Sequence, residues 1–392
     1  MFIHGGGYIV GGSGWFNPGS FVTNHDVVVV TVNYRLGIFG FLSTGDKSAP
    51  GNFGLWDMTL ALQWIKSNIA PFGGDPLDVT ISGESAGGSA VGYLSISPHT
   101  KKLFTKAYPQ SGTATSSFGK ATTALKATLE LAKSVNCFDG DASESIGSEV
   151  TRQVIECLRQ KPISDFTSFA SFTLDDPRFV PTVDKDFIPR SPQELILDDA
   201  YLEEVGFFDR SYLVGIVNNE ACVYKTHVDL TLDGMRQMEG VSDEEKEAMV
   251  KEFVESAYSF CANSRMNEPV ADTVVDKVVD WYKRRYNGND ILSEMIGDLS
   301  FIIPTYDFID AASRGANTKV WLFHFNHYPR YMTGKSKGIV HGLDLAYWFD
   351  ISVKNISQVL MVEMDFELGM GEDDLKLKQK MSDMIATFTQ TG

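Results

Sequence analysis

Residues 78–88 read Asp-Val-Thr-Ile-Ser-Gly-Glu-Ser-Ala-Gly-Gly, and this segment gives the strongest indication of the fold. Its first half, Asp78–Ser82, has the β-branched composition of a short strand, and the small apolar residues of Ala86–Leu94 suit a buried helix. The Gly-x-Ser-x-Gly pattern between them is typical of a serine on a sharp turn from a strand into a helix. Because the bare pattern also arises by chance, the strand before it and the helix after it favour a nucleophilic Ser85 over an ordinary serine in a glycine-rich turn.

The sequence on both sides of this turn alternates between predicted strands and helical segments. The other predicted strands are Asp26–Tyr34, Lys106–Tyr108, Tyr212–Val217 and Val320–Phe325. The first is a continuous β-branched run, which is typical of a strand buried on both faces. The alternation predicts an α/β fold in which helices cover both faces of a mostly parallel central sheet.

Two long segments between the predicted strands, 120–205 and 228–315, are rich in helix formers or irregular. They are interpreted as large helical insertions. Such insertions either decorate the core or form a lid that shapes a pocket, and the sequence leaves both alternatives open.

The composition excludes several classes of protein. The 392 residues carry 34 Lys and Arg against 51 Asp and Glu, for a net charge of −17, whereas nucleic-acid binding needs clustered basic residues. The tight basic cluster Lys283–Arg285 suits the wet face of a helix. A hydrophobic fraction of 43% excludes wholesale disorder. No apolar run reaches the length of about 18 residues that predicts a transmembrane segment.

The cysteines and histidines do not predict a metal site. The four cysteines, Cys137, Cys157, Cys222 and Cys261, form no Cys-x-x-Cys pair, and the sequence has no His-Glu-x-x-His motif. Of the seven histidines, only His324 and His327 are close in sequence, and a metal-free role is favoured for them. We therefore expect neither a metal nor an organic cofactor.

A serine hydroxyl is a weak nucleophile, so Ser85 needs a general base and fixed donors for a developing oxyanion. The glycine-rich loop His4–Gly7 exposes backbone N–H groups, and the amide of Ala86 would complete an oxyanion hole. The same loop could instead cradle a dinucleotide. That alternative is disfavoured because the third glycine, Gly11, falls one residue late for the phosphate-binding pattern.

The acid and the base of such a site follow the serine in the order carboxylate, then histidine. Glu220 comes just after the strand that ends at Val217, where an open α/β sheet places its chemistry. His341 lies in a predicted loop before an aromatic segment. Spacing alone does not select Glu220 among the acidic residues or His341 among the histidines.

Several motifs together resemble the type-B carboxylesterase/cholinesterase family of α/β-hydrolases, and they appear in the family's order along essentially the whole chain. The matching segments are His4–Tyr8, Asn33–Leu42, Gly51–Asp57, Phe72–Pro76, Gly83–Gly88, Gln110–Gly112, Cys157–Arg159, Asp298 with Phe301 and Pro304, and His341–Leu345. The resemblance implies one α/β-hydrolase domain over residues 1–392, with insertions at about 120–205 and 228–315. It also implies that family members extend beyond both ends of this segment, so that the sheet formed by this chain alone would have an uncovered edge.

The resemblance also implies roles for individual residues. Its catalytic triad would consist of Ser85 as nucleophile, Glu220 as acid and His341 as base. Its oxyanion donors would be Gly6, Gly7 and Ala86. In the substrate pocket, Glu84 matches a buried acidic position and Phe118 falls where many members carry an acyl-pocket tryptophan.

Other implied features concern stability and location. Arg35 and Asp57 match a structural ion pair, and Cys137 and Cys157 match a disulfide, which would place the protein in an oxidising compartment. Secretion or residence in the endoplasmic reticulum lumen is therefore implied. Asn355 begins the sequon Asn-Ile-Ser, a candidate glycosylation site in a secreted protein.

The implied function is a serine carboxylic-ester hydrolase that acts through an acyl-enzyme on a small-molecule ester. Three alternatives stay open: a cholinesterase, a long-chain lipase, and a non-catalytic cell-adhesion member of the same family. The sequence does not decide the ester substrate or the oligomeric state.

Overall fold

The structure of the protein is a computed structural model. It describes residues 1–121, 123–142, 146–169, 178–220, 234–238, 240–249, 251–252, 272–286, 290–329, 339–351 and 370–392. Asn355, Cys222 and Cys261 lie outside the described residues, so the glycosylation prediction is not addressed by the structure.

The described residues form a six-stranded parallel sheet. Its strands are β1 (Phe2–Ile3), β2 (Thr31–Val32), β3 (Thr80–Glu84), β4 (Lys106–Gln110), β5 (Ser211–Val217) and β6 (Val320–Phe325). Their order across the sheet is β2-β1-β3-β4-β5-β6, and every neighbouring pair is parallel. The order reverses direction next to β1, which is a topological switch point where α/β sheets place ligands.

Helices surround this sheet. The α-helices of the described residues include α1 (Gly19–Asn24), α2 (Gly37–Phe41), α3 (Phe53–Asn68), α4 (Ala86–Ile96), α5 (Ala124–Ser134), α6 (Ser148–Leu158), α7 (Pro192–Leu195), α8 (Asp199–Glu204), α9 (Asp272–Lys283), α10 (Asp290–Gly297), α11 (Ile303–Ser313) and α12 (Glu372–Thr391). A π-helical turn, Asp298–Ile302, joins α10 to α11. Within the described ranges, no helix combines the length and apolar character that a membrane crossing requires.

Apolar clusters lie on both faces of the sheet. Successive strand residues point to opposite faces, so Ile3 packs in one cluster and Phe2 in another. Helices α3, α4 and α11 contribute to the cluster of Ile3, whereas α12 contributes Ile385 and Phe388 to the cluster of Phe2. The predicted α/β fold, a parallel sheet with helices on both faces, is confirmed.

Helix α4 lies against the sheet more closely than ordinary side chains would allow. All eleven of its residues are buried, and a methyl group added at Gly87 would overlap the carbonyl oxygen of Ile3 in β1. Glycine at this position therefore lets the helix that follows Ser85 approach the strand that precedes the glycine-rich loop. This contact brings two sequence motifs to one place.

One strand prediction is wrong in its extent and burial. Within the predicted strand Asp26–Tyr34, only Thr31–Val32 forms a strand, and Val28 is 40% exposed. The reason is position: β2 is an edge strand that pairs with β1 alone in the described sheet. A β-branched run indicates strand propensity, but it does not tell whether both faces and both edges are covered.

Two further expectations concern covalent and ionic contacts. Cys137, after α5, and Cys157, in α6, form a disulfide, as the resemblance implied. The ion pair of Arg35 and Asp57 is also present, with both nitrogen–oxygen contacts of the fork at 2.8 Å.

Candidate active site

Ser85 lies on the turn between β3 and α4, in a backbone conformation that side chains rarely adopt. Its φ is 59° and its ψ is −122°. The Ser85 amide donates to the carbonyl of Gln110 at 2.9 Å, and the Ser85 carbonyl accepts from the Ser89 amide at 2.9 Å. These bonds to β4 and α4 hold the strained residue. The hydroxyl-bearing residue is half-buried, at the carboxyl end of the sheet.

The glycine-rich loop lies directly beside this turn. It follows β1, and a methyl group added at Gly5 would lie 2.9 Å from Cβ of Ser85 and 2.7 Å from the carbonyl oxygen of Glu84. Gly6 and Gly7 have φ angles of 108° and 61°, which favour glycine. The structure therefore places Gly5 against Ser85, and the predicted oxyanion residues Gly6 and Gly7 follow Gly5 in the same loop. Ala86, the third predicted donor, begins α4 directly after Ser85.

His341 and Glu220 form a buried pair. Nδ1 of His341 lies 2.7 Å from Oε2 of Glu220, although 121 residues separate them. The other carboxylate oxygen of Glu220 accepts a hydrogen bond of 2.9 Å from the amide of Val217, the last residue of β5. His341 and Glu220 are only 7% and 2% exposed, so the acid is fixed at the strand end and in turn orients the imidazole.

The second nitrogen of His341 faces Glu84. Nε2 lies 3.1 Å from Oε1 of Glu84, the residue before Ser85. No hydrogen bond joins the Ser85 hydroxyl to Nε2 of His341 in this structure. The structure thus gathers Glu84, Glu220 and His341 at one point, with Ser85 adjacent to it along the chain.

Burial and mutual repulsion shift the pKa values of this cluster. Burial raises the pKa of Glu84 to about 8, and the carboxylates of Asp344 and Glu220 add to this rise while His341 opposes it. Burial alone would lower the pKa of His341, but the facing carboxylates of Glu84 and Glu220 outweigh it and raise that pKa to about 9. The acids around His341 therefore favour its protonated form.

A third buried acid, Asp344, was not predicted as a site residue. Its Oδ2 accepts a hydrogen bond of 2.8 Å from Nε2 of Gln110, and burial raises its pKa to about 6. Both residues belong to segments that carry the family resemblance. The signal available in the sequence was an acid three positions after His341 within an otherwise apolar stretch.

Phe118 is close to the site but does not lie next to the imidazole. Its ring centroid is 5.1 Å from that of Phe301, and the Phe301 ring is 4.7 Å from the His341 ring. Phe301 lies in the π-helical turn, and such turns are frequent at functional sites. Phe301 was quoted in the family resemblance, yet its contact with the base was not predicted.

In the described part of the chain, no group of three or more His, Cys, Asp or Glu residues could hold a metal ion. The chemistry available in the described site is that of a serine hydroxyl, an imidazole held by a carboxylate, and backbone amides of a glycine-rich loop.

Comparison with known proteins decides the family. The model of the carboxylesterase family matches residues 1–392. The chain belongs to the carboxylesterase family. Among proteins similar to this carboxylesterase-family chain, gut esterase 1 of Caenorhabditis briggsae is 29% identical over the whole chain and 68% of its own length. Carboxylesterase 3B of Mus musculus is 35% identical over 84% of the chain and 52% of its own length.

The relatives of this carboxylesterase-family chain are not all called esterases. Neuroligin-2 of Homo sapiens is 30% identical over the whole chain. The chain spans 44% of the length of neuroligin-2, 52% of carboxylesterase 3B and 68% of gut esterase 1. Membership of the family supports ester hydrolysis, whereas the neuroligin similarity leaves activity to be tested.

Proposed function

We propose that this protein is a serine carboxylic-ester hydrolase with the triad Ser85, Glu220 and His341. One observation carries the proposal: a buried imidazole, tied to Glu220 at 2.7 Å, lies beside the strained turn that presents Ser85. An activated serine needs a nucleophile, a base and a third group that orients the base, and these residues supply the three roles.

The mechanism follows from these roles. His341 takes the proton of the Ser85 hydroxyl as the oxygen attacks the ester carbonyl, and Glu220 stabilises the resulting imidazolium. Collapse of the tetrahedral intermediate expels the alcohol, which receives the proton from His341. Water, activated by the same imidazole, then hydrolyses the acyl-enzyme. Because Nε2 faces Glu84 in this structure, the imidazole turns toward Ser85 in the substrate complex, where catalytic hydrogen bonds tighten.

The oxyanion is assigned to the backbone amides of Gly6, Gly7 and Ala86. Preorganised amide donors next to a nucleophile stabilise the negative charge that develops on the carbonyl oxygen. The close approach of the glycine-rich loop to Ser85 supports this assignment. No step of this mechanism requires a metal or an organic cofactor.

The proposed substrate is a small-molecule ester, and the pocket residues assigned to it are Glu84 and Phe118. The aromatic rings of Phe118 and Phe301 give the site an apolar wall beside the base. The described residues do not select among choline esters, short esters and long-chain esters. Comparing the hydrolysis rates of acetylcholine, a short ester and a long-chain ester determines which class is the substrate.

The proposed organisation is a single α/β-hydrolase domain over residues 1–392 with insertions at about 120–205 and 228–315. The proposed location is secreted or in the lumen of the endoplasmic reticulum. The Cys137–Cys157 disulfide supports this location because disulfides persist in oxidising compartments.

The second candidate function is that of a non-catalytic adhesion protein, and the similarity to neuroligin-2 favours it. The two candidates are separated by hydrolysis of p-nitrophenyl acetate by the wild type, Ser85→Ala and the control Ser134→Ala. We expect Ser85→Ala to lower kcat by on the order of 10⁵-fold or more, as loss of a triad serine does. Equal turnover by Ser85→Ala contradicts the proposed triad, and an inactive wild type favours adhesion.

A further inference from the structure

A second polar contact ties the turn that carries His341 to the sheet. Nε2 of Gln110 donates to Oδ2 of Asp344 at 2.8 Å, across 234 residues of sequence. Gln110 and Asp344 are both 0% exposed. A buried hydrogen bond to a carboxylate is among the stronger ones, and losing one partner leaves the other unsatisfied. Breaking this hydrogen bond would therefore destabilise the folded state, because a buried polar group would be left without a partner.

The sheet register places Gln110 between two strand ends that carry residues of the site. Gln110 is the last residue of β4 and stands opposite Glu84, the last residue of β3. On its other side, Gln110 stands opposite Gly215 of β5, two residues before the end of the strand that positions Glu220. Three neighbouring strand ends thus face one turn: β3 through Glu84, β4 through Gln110, and β5 through Glu220.

Two side-chain hydrogen bonds hold the turn that carries His341. His341 reaches Glu220 with its side chain, while Asp344, three residues later, reaches Gln110. The backbone amide of Ser85 bonds to the carbonyl of the same Gln110. Gln110 therefore contacts both the nucleophile, through its backbone, and the turn of the base, through its side chain.

We propose that Gln110 and Asp344 are positioning residues that tie the turn of His341 to the strand beside the nucleophile and so hold the base in place. This inference rests on the proposed esterase function and adds two residues to it. Neither residue touches the reacting atoms, since each acts through His341 or the turn that carries it.

Asp344 also affects the base through its charge. The titratable groups that face it are Glu220, His341, Glu84 and Tyr108, from β3, β4, the end of β5 and its own turn. An ionised Asp344 favours the imidazolium form of His341 and so adds to the raised pKa of that residue. The hydrogen bond of Asp344 to Gln110 and the effect of its charge on the pKa of His341 are separate, and different substitutions at position 344 distinguish them.

Asp344→Asn keeps an acceptor for the hydrogen bond from Gln110 and removes the negative charge. Oδ1 of Asp344 and Oε1 of Gln110 have no hydrogen-bond partner among the described residues. An asparagine can accept from Nε2 of Gln110 with its carbonyl and offer its amide to Oε1. Asp344→Leu and Gln110→Leu each remove this hydrogen bond. In Gln110→Leu, the backbone carbonyl that accepts from the Ser85 amide is retained.

The test measures kcat, KM and the pH profile of kcat/KM for p-nitrophenyl acetate with Asp344→Asn, Asp344→Leu and Gln110→Leu. A matched control is Thr128→Val, which removes a buried hydrogen bond of 2.7 Å to the carbonyl of Ser43 elsewhere in the core. Circular dichroism and size-exclusion chromatography measure the folded fraction of each sample. This measurement corrects for variants that fold only in part.

We expect both leucine variants to lower kcat per folded molecule by about 10²-fold, as a misplacement of 1 Å does, with KM within about twofold of the wild type. Asp344→Asn should restore kcat and move the acid limb of the profile to lower pH. Thr128→Val should change stability alone. Leucine variants with the kcat of Thr128→Val overturn the inference while leaving the esterase function intact, whereas an inactive wild type overturns the proposed function itself.

Discussion

Nδ1 of His341 lies 2.7 Å from Oε2 of Glu220, and the other oxygen of that carboxylate accepts a hydrogen bond from the last amide of β5. The carboxylate is therefore bonded on both sides before any substrate arrives. In the proposed mechanism, this contact places the proton of the neutral imidazole on Nδ1, so that Nε2 acts as the base once it turns from Glu84.

Replacing Glu220 by glutamine tests this relationship. The side chain keeps its size and one acceptor, but it no longer stabilises an imidazolium or secures the tautomer. We expect kcat for p-nitrophenyl acetate to fall by about 10³–10⁴-fold with little change in KM, as in triads that lose their acid's charge. Steady-state kinetics at saturating substrate measures this. A kcat within tenfold of the wild type would remove Glu220 from the triad.

The pH dependence follows from the pKa values of His341 and Glu84. A general base acts in its neutral form, and His341 has a pKa raised to about 9 in the free protein. Therefore kcat/KM should rise as pH increases from 7 to 9. Glu84→Gln removes a carboxylate that faces Nε2 at 3.1 Å, so the pKa of His341 falls and the rise moves to lower pH.

The control for this profile is Asp186→Asn, which removes an acid that pairs with His99 away from the site. Its profile should overlay that of the wild type. If Glu84→Gln also overlays the wild type, Glu84 does not control the titration of the base.

A matched pair of glycine substitutions tests the oxyanion loop. A methyl group at Gly5 meets the Glu84 carbonyl at 2.7 Å and Cβ of Ser85 at 2.9 Å, whereas a methyl group at Gly14 meets nothing within 4 Å. We expect Gly5→Ala to push the loop away from Ser85 and to lower kcat by at least about 10²-fold, the loss typical of one oxyanion donor. Gly14→Ala should retain wild-type kinetics, and equal kinetics for the two variants would separate the loop from catalysis.

The disulfide is expected to stabilise the protein without contributing to catalysis. Cys137 and Cys157 close a loop of 20 residues, and no described contact joins either cysteine to Ser85, Glu220 or His341. Replacing both cysteines with serine should lower the free energy of unfolding by about 3 kcal/mol, from the entropy of a loop of this size. Urea unfolding measures this loss. A large fall in kcat at 25 °C would instead link the disulfide to the site.

The features that could be predicted from the sequence depend on residues that are neighbours along the chain. The elbow around Ser85 combines a strand composition, a glycine-flanked serine and a small-residue helix within a few positions, and β3 and α4 lie where this pattern predicts them. The alternation of strands and helices likewise predicts the parallel sheet. Glu220 and His341 needed the family resemblance, because their pairing is created by the tertiary fold.

The features that were missed depend on position within the sheet. The valine-rich run before Tyr34 indicated a buried strand, yet β2 is short and lies at the edge, which strand propensity does not report. Gln110 and Asp344 are 234 residues apart in sequence and meet only in the tertiary fold, so no local pattern predicts their contact. Phe301 reaches the imidazole from a π-helical turn, and residue periodicity does not predict such a turn.

Covalent labelling determines whether Ser85 is an activated nucleophile, the role on which the other assignments depend. Wild-type protein and Ser85→Ala are each incubated with a fluorophosphonate, and intact-protein and peptide mass spectrometry locate the adduct. We expect one adduct per chain, on Ser85, and none on Ser85→Ala. Folded wild-type protein that takes no adduct, or an adduct that persists in Ser85→Ala, would contradict it.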